Sequence, residues 1–274
     1  MSVLNTEPGL KKESPFQTLF ATLVIPLVII ACVLIYLFVL GNPANFEGGD
    51  SANHPLPGNY LGIVYKGGFI VPLLMALLVL VITFSIERFI TVSKASGKGS
   101  SDSFLLKIRG LLLSSSIDQA AAECDRQQGS LGNVVKAGLR KYKEMLSEKE
   151  LTKDQKVLAI QKDIEEATEL ELPALERNLV IIATISSIST LLGLLGTVLG
   201  MIKAFAALAQ AGAPDSIALA NGISEALINT ALGITASALA IIMYNYFTTK
   251  IDRLTYSIDE AGFSIIQTYS STQK

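Results

Sequence analysis

Four apolar runs, Thr18 to Leu40, Phe69 to Ile90, Asn178 to Leu208 and Asn221 to Phe247, constrain this chain more than any other feature. A bilayer core of ~30 Å is crossed by ~20 apolar residues in a helix, and each run meets that length. Inside lipid every backbone N–H and C=O must be paired, which leaves helices or closed barrels. The sequence has no strand pattern of any length and no internal repeat, so it predicts an all-α integral membrane protein. The first run also has features of a signal peptide. It exceeds the ~7–15 apolar residues usual there and no small-x-small cleavage site follows, which favours a membrane anchor.

Composition removes several classes of function. Half of the residues are apolar and 17% are charged, and the net charge of −2 offers no basic field for nucleic acid. Cys32 lies in an apolar run and Cys124 in a charged segment, so no disulfide framework is expected. His54 is the only histidine; it has no companions at metal spacing and allows no Ser/His/Asp or Cys/His constellation. No catalytic residue, metal site or cofactor is therefore expected, and the chain does not read as an enzyme.

Lysine and arginine near the span ends set the expected orientation. Lys11 and Lys12 precede the first span; Arg88, Lys94, Lys98, Lys107 and Arg109 follow the second; Lys250 and Arg253 follow the fourth. The two segments on the other side, Gly41 to Gly68 and Ala209 to Ala220, hold only Lys66. The expected plan is a cytoplasmic segment 1–17, a span 18–40, an outer loop 41–68 and a span 69–90. A cytoplasmic helical domain 91–177, a span 178–208, an outer loop 209–220, a span 221–247 and a cytoplasmic C-terminal helix 248–274 complete it.

Asn42-Pro43, Gly48-Gly49, Pro55, Pro57 and Gly58 make the first outer loop turn-rich and irregular in expectation. In the polar domain, Asp102 or Ser103 is placed to cap a helix running to about Leu113. Asp118 to Gln127, Leu131 to Leu146 and Asp154 to Leu172 read as further amphipathic helices. Asp163, Glu165, Glu166, Glu169 and Glu171 form either a solvated helix face or a cation or docking face. Pro173 either begins a new helical segment or kinks one entering the third span.

The third and fourth spans carry matching stripes. Ser186, Thr190, Gly193, Thr197 and Gly200 recur at intervals of four, three, four and three, as do Ala226, Thr230, Gly233, Ser237 and Ala240. At ~3.6 residues per turn each set is one narrow line of small and hydroxylated side chains. Thr197 and Thr230 are nearly equidistant from Pro214, so they should lie at similar depth. Glu225 should sit ~7–8 Å nearer the loop, with Asn229 ~40° away around the helix and able to hydrogen-bond to it. Two readings remain open: close helix packing, for which Gly196-xxx-Gly200 is a common motif, and a polar pathway. Threonine hydroxyls bonded back to their own helix are compatible with the first, and a hydrated carboxylate near a helix start is compatible with it too.

These stripes in their context resemble the MotA/TolQ/ExbB family, with ExbB and TolQ the nearest patterns. The segments that carry the resemblance are Gly193-Leu-Leu-Gly-Thr-Val-x-Gly-Met-Ile-x-Ala-Phe205, Ile223-x-Glu-Ala-Leu-x-x-Thr-Ala-x-Gly233 on to Tyr244-Asn245, and Gly67-Gly68-Phe69 through Pro72 to Ile86-Glu87-Arg88. It departs from the pattern at Thr190 and Leu239, where the family often has proline, and in its additional first span. The resemblance implies a bacterial inner-membrane subunit, assembled as a pentameric ring around helices of an ExbD-like single-span partner that carries the titrating aspartate. A TonB-like protein would receive the motion. Thr197, Thr230 and Glu225 would belong to the ion pathway, with Ser186, Thr190, Gly193, Gly196, Gly200, Asn229, Gly233 and Ser237 lining it or packing its walls. A TolQ-like constriction motor and a scaffold without ion conduction are the alternatives.

Overall fold

The structure, a computed structural model, describes residues 15–209 and 215–272, with side chains from Phe20 onward. Lys11, Lys12, most of the expected segment 1–17, and Pro214 in the second loop lie outside the described residues. The chain is built from α1 (Pro15–Ile35), α2 (Tyr60–Tyr65), α3 (Val71–Ala95), α4 (Ser101–Leu113) and α5 (Ile117–Gln127). α6 (Gly129–Ser147), α7 (Lys153–Glu176), α8 (Leu179–Leu208) and α9 (Ser216–Thr272) follow. Among the described residues there is no strand, only a single bridge between Phe46 and Pro55. Four helical stretches among the described residues are long and apolar enough to cross a membrane, starting at Phe20, Gly68, Lys153 and Ser216.

The contacts divide the chain into two units, Met1–Ile82 with Ile185–Leu239, and Thr83–Thr184 with Ala240–Lys274. In the first unit, α1 runs on into a wide π turn, Tyr36–Leu40. The following loop, expected to be irregular, instead holds two 3-10 turns and the short helix α2, capped by the Asn59 side chain accepting from Gly62 N–H at 3.1 Å. It is fastened to the π turn: Asn45 Nδ2 donates to the carbonyls of Val39 and Leu40. The Tyr36 ring stacks on Tyr65 at 4.7 Å while its hydroxyl donates to Tyr65 O. Lys66 Nζ closes the loop on the carbonyls of Ser51 and Ala52 and lies over the Phe46 ring. Partial burial lowers the Lys66 ammonium below the usual lysine range, against the opposing pull of Asp50.

The second unit comprises the end of α3, α4 to α7, the start of α8, and α9 from Ala240 onward. Its core includes Val134, Val135, Leu139, Tyr142, Ile160, Ile164, Ile258 and Ile265, all buried. Tyr142 meets Tyr269 edge to face at 4.9 Å, and the Tyr269 hydroxyl donates to Met145 O at 3.1 Å, which satisfies the polar end of a buried aromatic. Ser100, not Asp102 or Ser103, is the cap residue of α4, and its side chain makes no cap bond. At α7 the start signal is a reciprocal pair: Thr152 Oγ1 accepts from Gln155 N–H, and Gln155 Oε1 accepts from Thr152 N–H.

Pro173 neither starts nor ends α7, which continues to Glu176. The chain turns at Asn178, at φ +62, a conformation asparagine tolerates better than most residues. The reason the helix stops cleanly there is the Glu87-Arg88 pair of α3. Arg88, 2% exposed, donates Nη1 to the carbonyls of Ala174 and Leu175, two of the carbonyls a helix end leaves without partners. Glu87 balances that charge at 2.5 Å and also accepts from Thr91 and Asn178. α8 and α9 are uninterrupted at Thr190 and Leu239, and α9 is a single helix of 57 residues.

Candidate functional site

α8 and α9 meet as an antiparallel hairpin in which backbone touches backbone. A Cβ on Gly200 would lie 2.6 Å from Ala226 N and 2.7 Å from Gly222 O, and one on Gly233 would lie 2.6 Å from Ser189 O and 2.8 Å from Gly193 Cα. Gly196 receives the Asn229 side chain, whose Cβ would collide with a Cβ added there. Small residues let membrane helices approach this closely, where dispersion between the two surfaces supplies much of the attraction. The buried seam is therefore Ser189, Gly193, Gly196, Gly200 and Ala204 against Gly222, Ala226, Asn229, Gly233 and Ala236.

The expected stripes divide along this seam. Gly193, Gly196, Gly200 and Gly233 lie in it, whereas Ser186, Thr190, Thr197 and Thr230 are only half buried at its edge. At ~100° per residue, Ser186, Thr190 and Thr197 fall on one side of the α8 seam line, and Thr230 and Ser237 fall on the same side of the antiparallel α9. The hydrogen bond from Ser237 Oγ to Ser186 O, 2.6 Å, agrees with that assignment. Thr190, Thr197 and Thr230 each donate within their own helix, to Ser186, Leu194 and Ala226 carbonyls. Their oxygens keep acceptor capacity towards whatever faces this flank.

Glu225 lies on the opposite flank and is buried. Both of its oxygens accept from Lys203 Nζ at 2.7 Å, a residue not among the sequence candidates. Asn229, which could have bonded to Glu225, does not: fully buried, it donates to Gly67 O at 2.8 Å, while its Oδ1 has no partner. Gly68, at φ +78, packs directly on the Glu225 carboxylate. The signal for Lys203 was present in the sequence, because it and Glu225 are equidistant from Pro214, the same mirror that pairs Thr197 with Thr230.

The fold and this site define a multi-span helical membrane protein with a close-packed hairpin, hydroxyls on one flank and an ion pair on the other. Residues 126–260, which contain α8 and most of α9, match the model of the MotA/TolQ/ExbB proton channel family, the family whose pattern the stripes resemble. It is 31% identical over 145 residues to the Tol-Pal system protein TolQ of Pseudomonas aeruginosa, covering 53% of this chain and 62% of that protein. It is 34% identical over 85 residues to the biopolymer transport protein ExbB of Salmonella typhimurium, covering 31% and 35%. A putative biopolymer transport protein ExbB-like 3 of Synechocystis is 38% identical over 86 residues, covering 31% and 41%. The chain thus spans between 35% and 62% of the length of these relatives.

Proposed function

We propose that this chain is an ExbB-like subunit of a motor in the bacterial inner membrane driven by the proton-motive force, with both termini cytoplasmic. Five copies form a ring around the helices of an ExbD-like single-span partner, and their relative motion energises a TonB-like protein and, through it, outer-membrane transport. The observation that carries this reading is the shared flank of Thr197 and Thr230. It offers hydroxyl oxygens on an otherwise apolar, half-exposed wall, at matched depth in both helices. Such a wall solvates a proton moving to and from a carboxylate supplied by another chain without binding it tightly. One charge crossing 100 mV releases about 2.3 kcal/mol, so a few protons per cycle suffice for a displacement of the partner.

The same flank suits a TolQ-like motor of envelope constriction, and the longer stretch shared with a TolQ protein favours keeping that reading. Native mass spectrometry of the detergent-extracted chain, with and without its single-span partner, is the deciding experiment. A ring of five that captures partner helices is the expected result. A monomer or dimer indifferent to the partner in several mild detergents would replace the motor by a scaffold.

A further inference from the structure

The pairing of Lys203 with Glu225 is explained neither by the small-residue seam nor by the threonine flank. The carboxylate side chain is 7% exposed and the lysine 53%, so the anion is sealed in while the cation reaches it from an open face. Gly68 closes the other side: a Cβ there would sit 2.5 Å from Glu225 Oε1, which leaves no room for another residue type at that φ. One turn along α9, Asn229 is held by the neighbouring Gly67 carbonyl. Two adjacent glycines before α3 thus fix both polar side chains of this flank, and Lys203 supplies the only charge-matched contact to Glu225 among the described residues. Without the ammonium, a sealed carboxylate would be left uncompensated, a state that is strongly unfavourable in a low dielectric. It would leave its place against Gly68 to find water or another cation.

We propose that Lys203 is the positioning residue of this pathway: it holds the Glu225 carboxylate against Gly68, on the flank opposite Thr197 and Thr230, and ion movement along the hairpin requires that fixed pair. The proposal rests on the ion-pathway reading above. Its test is partner-dependent proton flux, measured in vesicles holding the full chain and its single-span partner, with assembly of each variant checked by native mass spectrometry. Lys203→Met and Glu225→Gln should each lower flux about tenfold or more, and the double variant should be no worse than either alone, because the two side chains act as one unit. Lys203→Arg, which can still donate to both oxygens, should retain most of the flux, and the reversed pair Lys203→Glu with Glu225→Lys should recover part of it. Full flux in Lys203→Met beside a dead Glu225→Gln would overturn the proposal while leaving the ion pathway standing. So would equal losses in Lys203→Arg and Lys203→Met in intact assemblies. Wild-type chain and partner that carry no flux at all would overturn the pathway itself, and this proposal with it.

Discussion

The side-chain amide of Asn229 donates to the backbone carbonyl of Gly67 at 2.8 Å, across 162 positions of sequence. It ties the middle of the α8/α9 hairpin to the junction before α3. Replacing Asn229 by alanine takes one donor from that carbonyl and empties the space above Gly196, for a cost of about 1–3 kcal/mol. A lowered thermal midpoint in detergent would register it, and an unchanged midpoint would mean that the bond contributes nothing.

Glycine substitutions separate close approach from open space. Gly200→Ala forces a methyl into the backbone of Ala226 and Gly222, so it should part the helices and lower stability by about 1–3 kcal/mol. Gly110→Ala, inside α4 with nothing near the added atom, should instead raise it by about 0.5–1 kcal/mol through helix propensity. Thermal melts of both variants check the contrast.

Thr230→Val keeps volume and removes a hydroxyl whose only bond among the described residues is to its own helix, at Ala226 O. The fold should be unaffected, while on the proposed motor reading partner-driven transport falls about tenfold, the scale of one lost hydrogen bond to a charged group. Uptake assays at matched protein levels test this, and unchanged uptake would remove Thr230 from the pathway.

Arg88→Met strips α7 of the donors on Ala174 and Leu175 and leaves Glu87 with its charge unmatched. Breaking a buried pair from one side costs about 3–5 kcal/mol. Limited proteolysis should then cut near Arg177, a site protected in the wild type.

Burial pushes the Cys124 thiol up to about 12 from an ordinary value of 9.0. Between those values the unfolded thiol releases its proton and the folded one keeps it, so the unfolded state binds fewer protons and stability falls as pH rises. In a Cys32→Ala background, maleimide labelling should stay slow at pH 8 and 9 while the protein is folded and become rapid on denaturation. Prompt labelling of the folded protein would contradict the burial.

The length and polarity of the four apolar runs determined the helical, multi-span class, because lipid admits few other ways to pair a backbone. The small-residue periodicity determined that α8 and α9 each present one narrow line. Neither property says which part of a line faces the other helix. That was decided by packing: the glycines approach backbone to backbone, which pushes Thr197 and Thr230 to one edge and Glu225 to the other. The Lys203–Glu225 pair follows from the hairpin register, and the mirror about Pro214 made it legible in principle. The partnership of Gly67 and Gly68 with Asn229 and Glu225 was not legible. Those residues are some 160 positions apart, and no local propensity or periodicity carries information over that distance; only the tertiary fold brings a φ +78 glycine against a buried carboxylate. The same holds for Arg88, whose charge reads as a membrane-edge marker in sequence and becomes the cap of a helix more than eighty residues later.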